Sequence, residues 1–131
     1  MQKKYSCCFI DTENNEFSEE IKLNIIRMID YLVEICNINY FLFYNLNPFE
    51  NFIYNYLNKF KYQIKRIKIS QKYENTLLKR NNKIKYYKKL IEQSDICIFI
   101  DKAINISQFS ISIFYELLVF AKQLNKCVLF I

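Results

Sequence analysis

The chain contains no glycine and no histidine. At an average usage near 7%, about nine glycines belong in a chain of this length. Without them, every turn falls to Asn, Asp, Ser or Lys. No loop offers the bare backbone that phosphate-cradling turns use. Tryptophan is also absent and proline occurs once, while Asn, Ile, Lys and Tyr abound. An AT-rich coding sequence produces this bias. The lack of histidine excludes an imidazole base, and with it Ser-His-Asp and Cys-His arrangements. The five cysteines form no Cys-x-x-Cys, so neither a zinc site nor any other metal site is expected. Their odd number argues against a closed disulfide framework.

Long apolar runs are missing too. The longest span about five residues, against the roughly 20 that cross a bilayer. Met1 to Lys4 precede an apolar run of only Cys7 to Ile10, too short for a secretory leader. A cytoplasmic chain with no membrane partner is expected. What is present is a core: 52% of the 131 residues are hydrophobic and 18% aromatic. That excludes disorder and fits one domain over 1–131.

The hydrophobic pattern alternates between short and long periods. Tyr5 to Ile10 reads as a buried strand, followed by a polar loop from Asp11 to Phe17. Ser18 caps a helix with Glu19 and Glu20 in its first turn. Ile21, Ile25, Met28, Ile29, Leu32 and Val33 recur at helical spacing. Tyr40 to Phe43 is the second strand. Asn47-Pro48-Phe49-Glu50 opens a second helix with a cap, a first-position proline and a third-position carboxylate. Ile64 to Ile69 is a third strand of imperfect alternation, which suits an edge. Ile84, Tyr87, Leu90 and Ile91 mark a helix ending near Gln93. Ile96 to Ile100 is the fourth strand and Asp101 to Phe109 a loop. Phe114, Leu117, Leu118, Ala121 and Leu124 mark a last helix starting near Ser112. Cys127 to Ile131 is the fifth strand. Strands alternating with helices predict an α/β, Rossmann-like three-layer sandwich. Its sheet is five-stranded and mainly parallel, with helices on both faces. Ligands of such sheets bind beyond the carboxyl ends of the strands.

Several stretches carry a family resemblance. Cys7-Cys8-Phe9-Ile10-Asp11-Thr12-Glu13 looks like an opening C-F-x-G-H-R. Phe41 to Glu50 looks like an F-x-x-G-x-x-x-x-F-D element. Phe60-Lys61-Tyr62-Gln63-Ile64-Lys65 is similar to K-x-x-Y-P-x-I-K. Leu90-Ile91-Glu92-Gln93-Ser94-Asp95-Ile96-Cys97-Ile98-Phe99 is similar to M-I-x-x-S-D-x-x-I, the most specific of the set. Almost end to end, the chain resembles the YpsA-like family of the SLOG superfamily, Rossmann-like domains related to Smf/DprA and LOG proteins. That resemblance implies a nucleotide-derived ligand. The departures fall on ligand-facing positions. Gly-His-Arg becomes Asp11-Thr12-Glu13, and the glycine after strand two becomes Tyr44. An Arg-Asn pair becomes Tyr86-Tyr87 or moves to Arg80-Asn81. The glycines before the last helix become Ser, Ile or Phe in the Ser110 to Phe114 stretch, which sets the bulk of Ile113 and Phe114 where a phosphate would approach.

The candidate site follows. Asp11, Thr12, Asn45, Asn47, Ser110 and Ser112 line the expected cleft, and Asp101 joins them after strand four. Asp11 and Asp101 suit ribose hydroxyls; Asp also suits an ordinary turn. Ser110 and Ser112 suit an anion at a helix start, or a plain cap. Glu116 falls at about the offset of the LOG glutamate in G-G-x-G-T-x-x-E, which implies acid–base work at a glycosidic carbon; a solvated helix glutamate is the plainer reading. Ser94-Asp95 reads as a structural turn. The segment from Lys59 to Lys89 holds twelve Lys or Arg against Glu74 alone, interleaved with tyrosines. Such a surface grips phosphates and stacks bases, although a net charge of +6 is modest for nucleic-acid binding. The first reading is therefore a degenerate, non-catalytic domain that binds or senses a nucleotide-derived ligand, with no further cofactor. The alternatives are a nucleoside-monophosphate glycosidic hydrolase using Glu116 and a nucleic-acid-binding module. A homo-oligomer is compatible with the aromatic content.

Overall fold

The computed structural model describes residues 5–11, 18–43, 48–59, 64–66, 80–100 and 108–131, with side chains at 5–11, 18–43, 50–59, 84–100 and 113–131. In chain order the elements are β1 (Ser6–Ile10), α1 (Glu19–Glu34), β2 (Tyr40–Phe43), α2 (Pro48–Asn58), β3 (Ile64–Arg66), α3 (Arg80–Gln93), β4 (Ile96–Phe99), α4 (Gln108–Gln123) and β5 (Cys127–Phe130). The strands form one sheet in the order β3-β2-β1-β4-β5, and every neighbouring pair is parallel. The four strands β2, β1, β4 and β5 carry four or five residues each; β3 adds three at one edge, where its broken alternation belongs. The architecture is α/β with a parallel sheet, consistent with a Rossmann-like arrangement.

Period-two alternation divides β1 between two cores. Cys7 and Phe9 face Ile25, Ile29 and Leu32 of α1 and Ile53 and Leu57 of α2. Cys8 and Ile10 face Ile84, Tyr87, Leu90 and Ile91 of α3 and Ile113, Leu117 and Ala121 of α4. The central strands are buried on both faces, which is why they read as continuous apolar runs. Each fully buried Leu, Ile or Phe contributes about 1.5–3 kcal/mol relative to exposure.

The helix ends show how a chain without glycine closes its turns. Ser18 accepts the Ile21 amide at 3.3 Å and caps α1. At the far end of α1, Asn37 takes φ 56°, and the Ile38 amide reaches back to the Leu32 carbonyl at 3.0 Å. After α4, Asn125 takes φ 58°. The Lys126 amide bonds the Ala121 carbonyl and the Asn125 amide bonds that of Lys122, each at 3.0 Å. This is a Schellman closure with Asn in the left-handed position that glycine usually fills.

One boundary differs from the sequence expectation. The last helix begins at Gln108 rather than near Ser112. Nothing from Gln108 onward breaks a helix, and Ile113, Leu117 and Ala121 hold a four-residue spacing against the sheet. Ser110 and Ser112 therefore lie within the helix and do not cap it.

Candidate functional site

Strand order locates the crevice. Connections from β1 run toward β2, while the chain after β4 turns the other way to β5. The carboxyl ends of β1 and β4 thus form the switch point at which doubly wound sheets bind ligands. Parallel pairing continues to this rim: the Ile100 amide donates to the Ile10 carbonyl, and the Ile131 amide to the Phe99 carbonyl, both at 3.0 Å.

Asp11 is the expected site residue that the structure places at this rim. It follows β1 directly and is 9% exposed. The Tyr87 hydroxyl, buried on α3, donates to the Asp11 carbonyl at 2.7 Å. The chain leaving β1 is thereby tied to the helix that leads into β4. The sequence reading put Tyr87 on the apolar face of α3 and missed this tie. The available signal was a tyrosine in a buried stripe, because a buried phenol seeks an acceptor.

Thr12, Asn45, Asn47 and Asp101 lie outside the described residues. Ser110 and Ser112 are the third and fifth residues of α4, where only the backbone is described. Glu116, expected about one turn into the last helix, is its ninth residue. At 1.5 Å per residue it stands about 12 Å along the axis from Gln108. Its side chain is half-buried.

The bulky residues near that start also have definite places. Ile113 is fully buried against the sheet, so it is a core residue rather than one obstructing the rim. Phe114 stands edge-on to Phe99 at 5.4 Å between ring centroids and tilted against Phe130 at 6.5 Å. These rings cover the carboxyl ends of β4 and β5 on the α4 side. On the other face, a cleft of about 470 Å³ opens between Asn24, Arg27, Met28 and Tyr31 of α1 and the last residues of β5. It lies beside the β5 edge and not at the switch point.

The stretch most like the SLOG pattern is structural. The Asp95 carboxylate accepts the Ser6 amide at 2.9 Å, the Ser6 hydroxyl donates to the Gln93 carbonyl at 2.8 Å, and buried Ser94 donates to the Leu90 carbonyl at 2.8 Å. Together they join the entries of β1 and β4, opposite the crevice. Glu50 is buried in the first turn of α2, where the helix dipole favours a carboxylate.

The cysteines are free thiols. Burial pushes the Cys7 and Cys8 thiols well above their ordinary range, which leaves them protonated and poor nucleophiles. Among the described residues, no three His, Cys, Asp or Glu side chains group to hold a metal ion. No helix among them is long and apolar enough to cross a membrane. The chain matches no protein-family model, no curated protein and no solved structure.

Proposed function

We propose that the chain is a non-catalytic α/β domain of SLOG type that binds or senses a nucleotide-derived ligand at the β1–β4 switch point. The observation that carries this reading is the position of Asp11. A carboxylate at the end of β1, beside the reversal of strand order, suits ribose hydroxyls, and Tyr87 holds its main chain still. The glycines that precede the LOG glutamate are absent from this chain, which favours binding over glycosidic hydrolysis.

Binding to the folded state raises thermal stability by mass action. The test is a melting series with nucleoside mono-, di- and triphosphates and dinucleotides at millimolar concentration. At least one class is expected to raise Tm, and Asp11→Asn is expected to remove most of that rise. No rise with any class contradicts the reading. Release of free base from a nucleoside monophosphate, lost in Glu116→Gln, replaces it with the hydrolase.

A further inference from the structure

The four helices divide charge between the two faces of the sheet. Helices α1 and α2, on one face, carry five carboxylates against two cations. Helices α3 and α4, on the other, carry six cations against two carboxylates. Several of those cations stand on the outer surface. Lys85 and Lys89, one turn apart and opposite the buried stripe of α3, are exposed. On α4, Tyr115, Val119 and Lys122 recur at helical spacing opposite Ile113, Leu117 and Ala121. All three are exposed, Tyr115 by 60% and Val119 by 53%. Between the two stripes the Lys88 ammonium lies over the Phe120 ring, 5.0 Å from its centroid. The Lys126 ammonium donates to the Glu92 carbonyl at 3.2 Å. Of the carboxylates on these two helices, Glu92 is exposed and Glu116 half-buried. The face is two helices wide, cationic and apolar at once.

We propose that this face rests on an anionic lipid surface, with the α3 lysines among the headgroups and the outer stripe of α4 against the bilayer interface. Each lysine near a negatively charged leaflet strengthens binding about fivefold. Charge alone suits any polyanion; the apolar stripe selects lipid. A nucleic acid offers phosphates to the lysines but nothing apolar to cover Val119. The interfacial layer of a bilayer takes up apolar groups and tyrosine beside cations, and lysine stems lie along apolar surface with their heads in water. The outward stripes of α3 and α4 belong to one layer of helices, so a flat partner meets both together. The acidic α1–α2 face is repelled by the same surface, which fixes the orientation. Such a contact lies on the bilayer without crossing it, and composition alone did not predict it. The proposal is independent of any ligand at the switch point.

The experiment is sedimentation of the full chain with vesicles of phosphatidylcholine alone, and of equal parts phosphatidylcholine and phosphatidylglycerol. Binding is expected to the mixed vesicles and not to phosphatidylcholine alone. It is expected to be lost at about 1 M salt, where the screening length falls to about 3 Å. Lys85→Gln with Lys89→Gln is expected to weaken it roughly 25-fold, at about fivefold for each lysine. Lys22→Gln with Arg27→Gln removes the same charge from α1 and is expected to leave binding unchanged. Val119→Ser is expected to weaken binding at constant net charge. Lys89→Gln with Lys122→Gln replaces the first pair should the far-ultraviolet spectrum show that it fails to fold. No binding to the mixed vesicles at low salt overturns the proposal, as does equal loss from the α3 and α1 pairs. Oligonucleotide binding that depends on Lys85 and Lys89, without vesicle binding, assigns the face to nucleic acid and overturns it too.

Discussion

At the scale of single residues, asparagine does what glycine does elsewhere. Both positive-φ residues among those described are Asn, at 37 and 125. Its short polar side chain tolerates the left-handed region better than a branched one. Asn125→Val is expected to destabilise the fold by about 1–2 kcal/mol, the cost of a Cβ clash in that region. Asn125→Gly is expected to hold stability or raise it. Urea denaturation of the three chains measures both. Equal stability of the Val and Gly variants contradicts the assignment. This substitution was legible from composition, since an absent glycine leaves Asn as the next residue suited to the conformation. The two positions at which the fold uses it were not.

At the scale of elements, α3 shows what periodicity reveals and what it hides. Its apolar spacing marked the helix and the buried stripe, and that face packs on β1 and β4 as the pattern implies. Periodicity does not show that one member of the stripe is also a donor. Tyr87 joins α3 to the end of β1 through one hydrogen bond of 2.7 Å. Tyr87→Phe keeps the ring and removes the donor, so it is expected to cost about 1–2 kcal/mol, the range for losing a buried hydrogen bond. Chemical denaturation checks it, and a neutral result removes the tie from the account. Helix α4 makes the converse case. Its core spacing was clear, but its start was misplaced by four residues, because no cap or breaker marks the stretch before Ile113. That error made two serines look like caps. The candidate site was therefore less legible than the scaffold. A turn in chain direction is fixed by alternation of elements, whereas which residues open a helix depends on its exact boundary.

At the scale of the whole molecule, two cores on either side of a parallel sheet position everything else. The strand order β3-β2-β1-β4-β5 follows from chain connectivity and two-sided burial, and it creates the switch point whatever residues stand there. Glycine-free loops do not abolish that geometry. On the proposed reading, they leave binding to a carboxylate and to main-chain groups held by neighbours such as Tyr87. The same organisation leaves β5 at one edge of the sheet among the described residues. The most direct test of the binding account is an amide nuclear magnetic resonance titration with the nucleotide that most raises Tm. Saturable shifts are predicted at Asp11 and Ile100 and through the first turn of α4, with Ser6 and Asp95 unmoved at the opposite end of the sheet. Saturable shifts confined to the opposite end, or none up to millimolar ligand, contradict it.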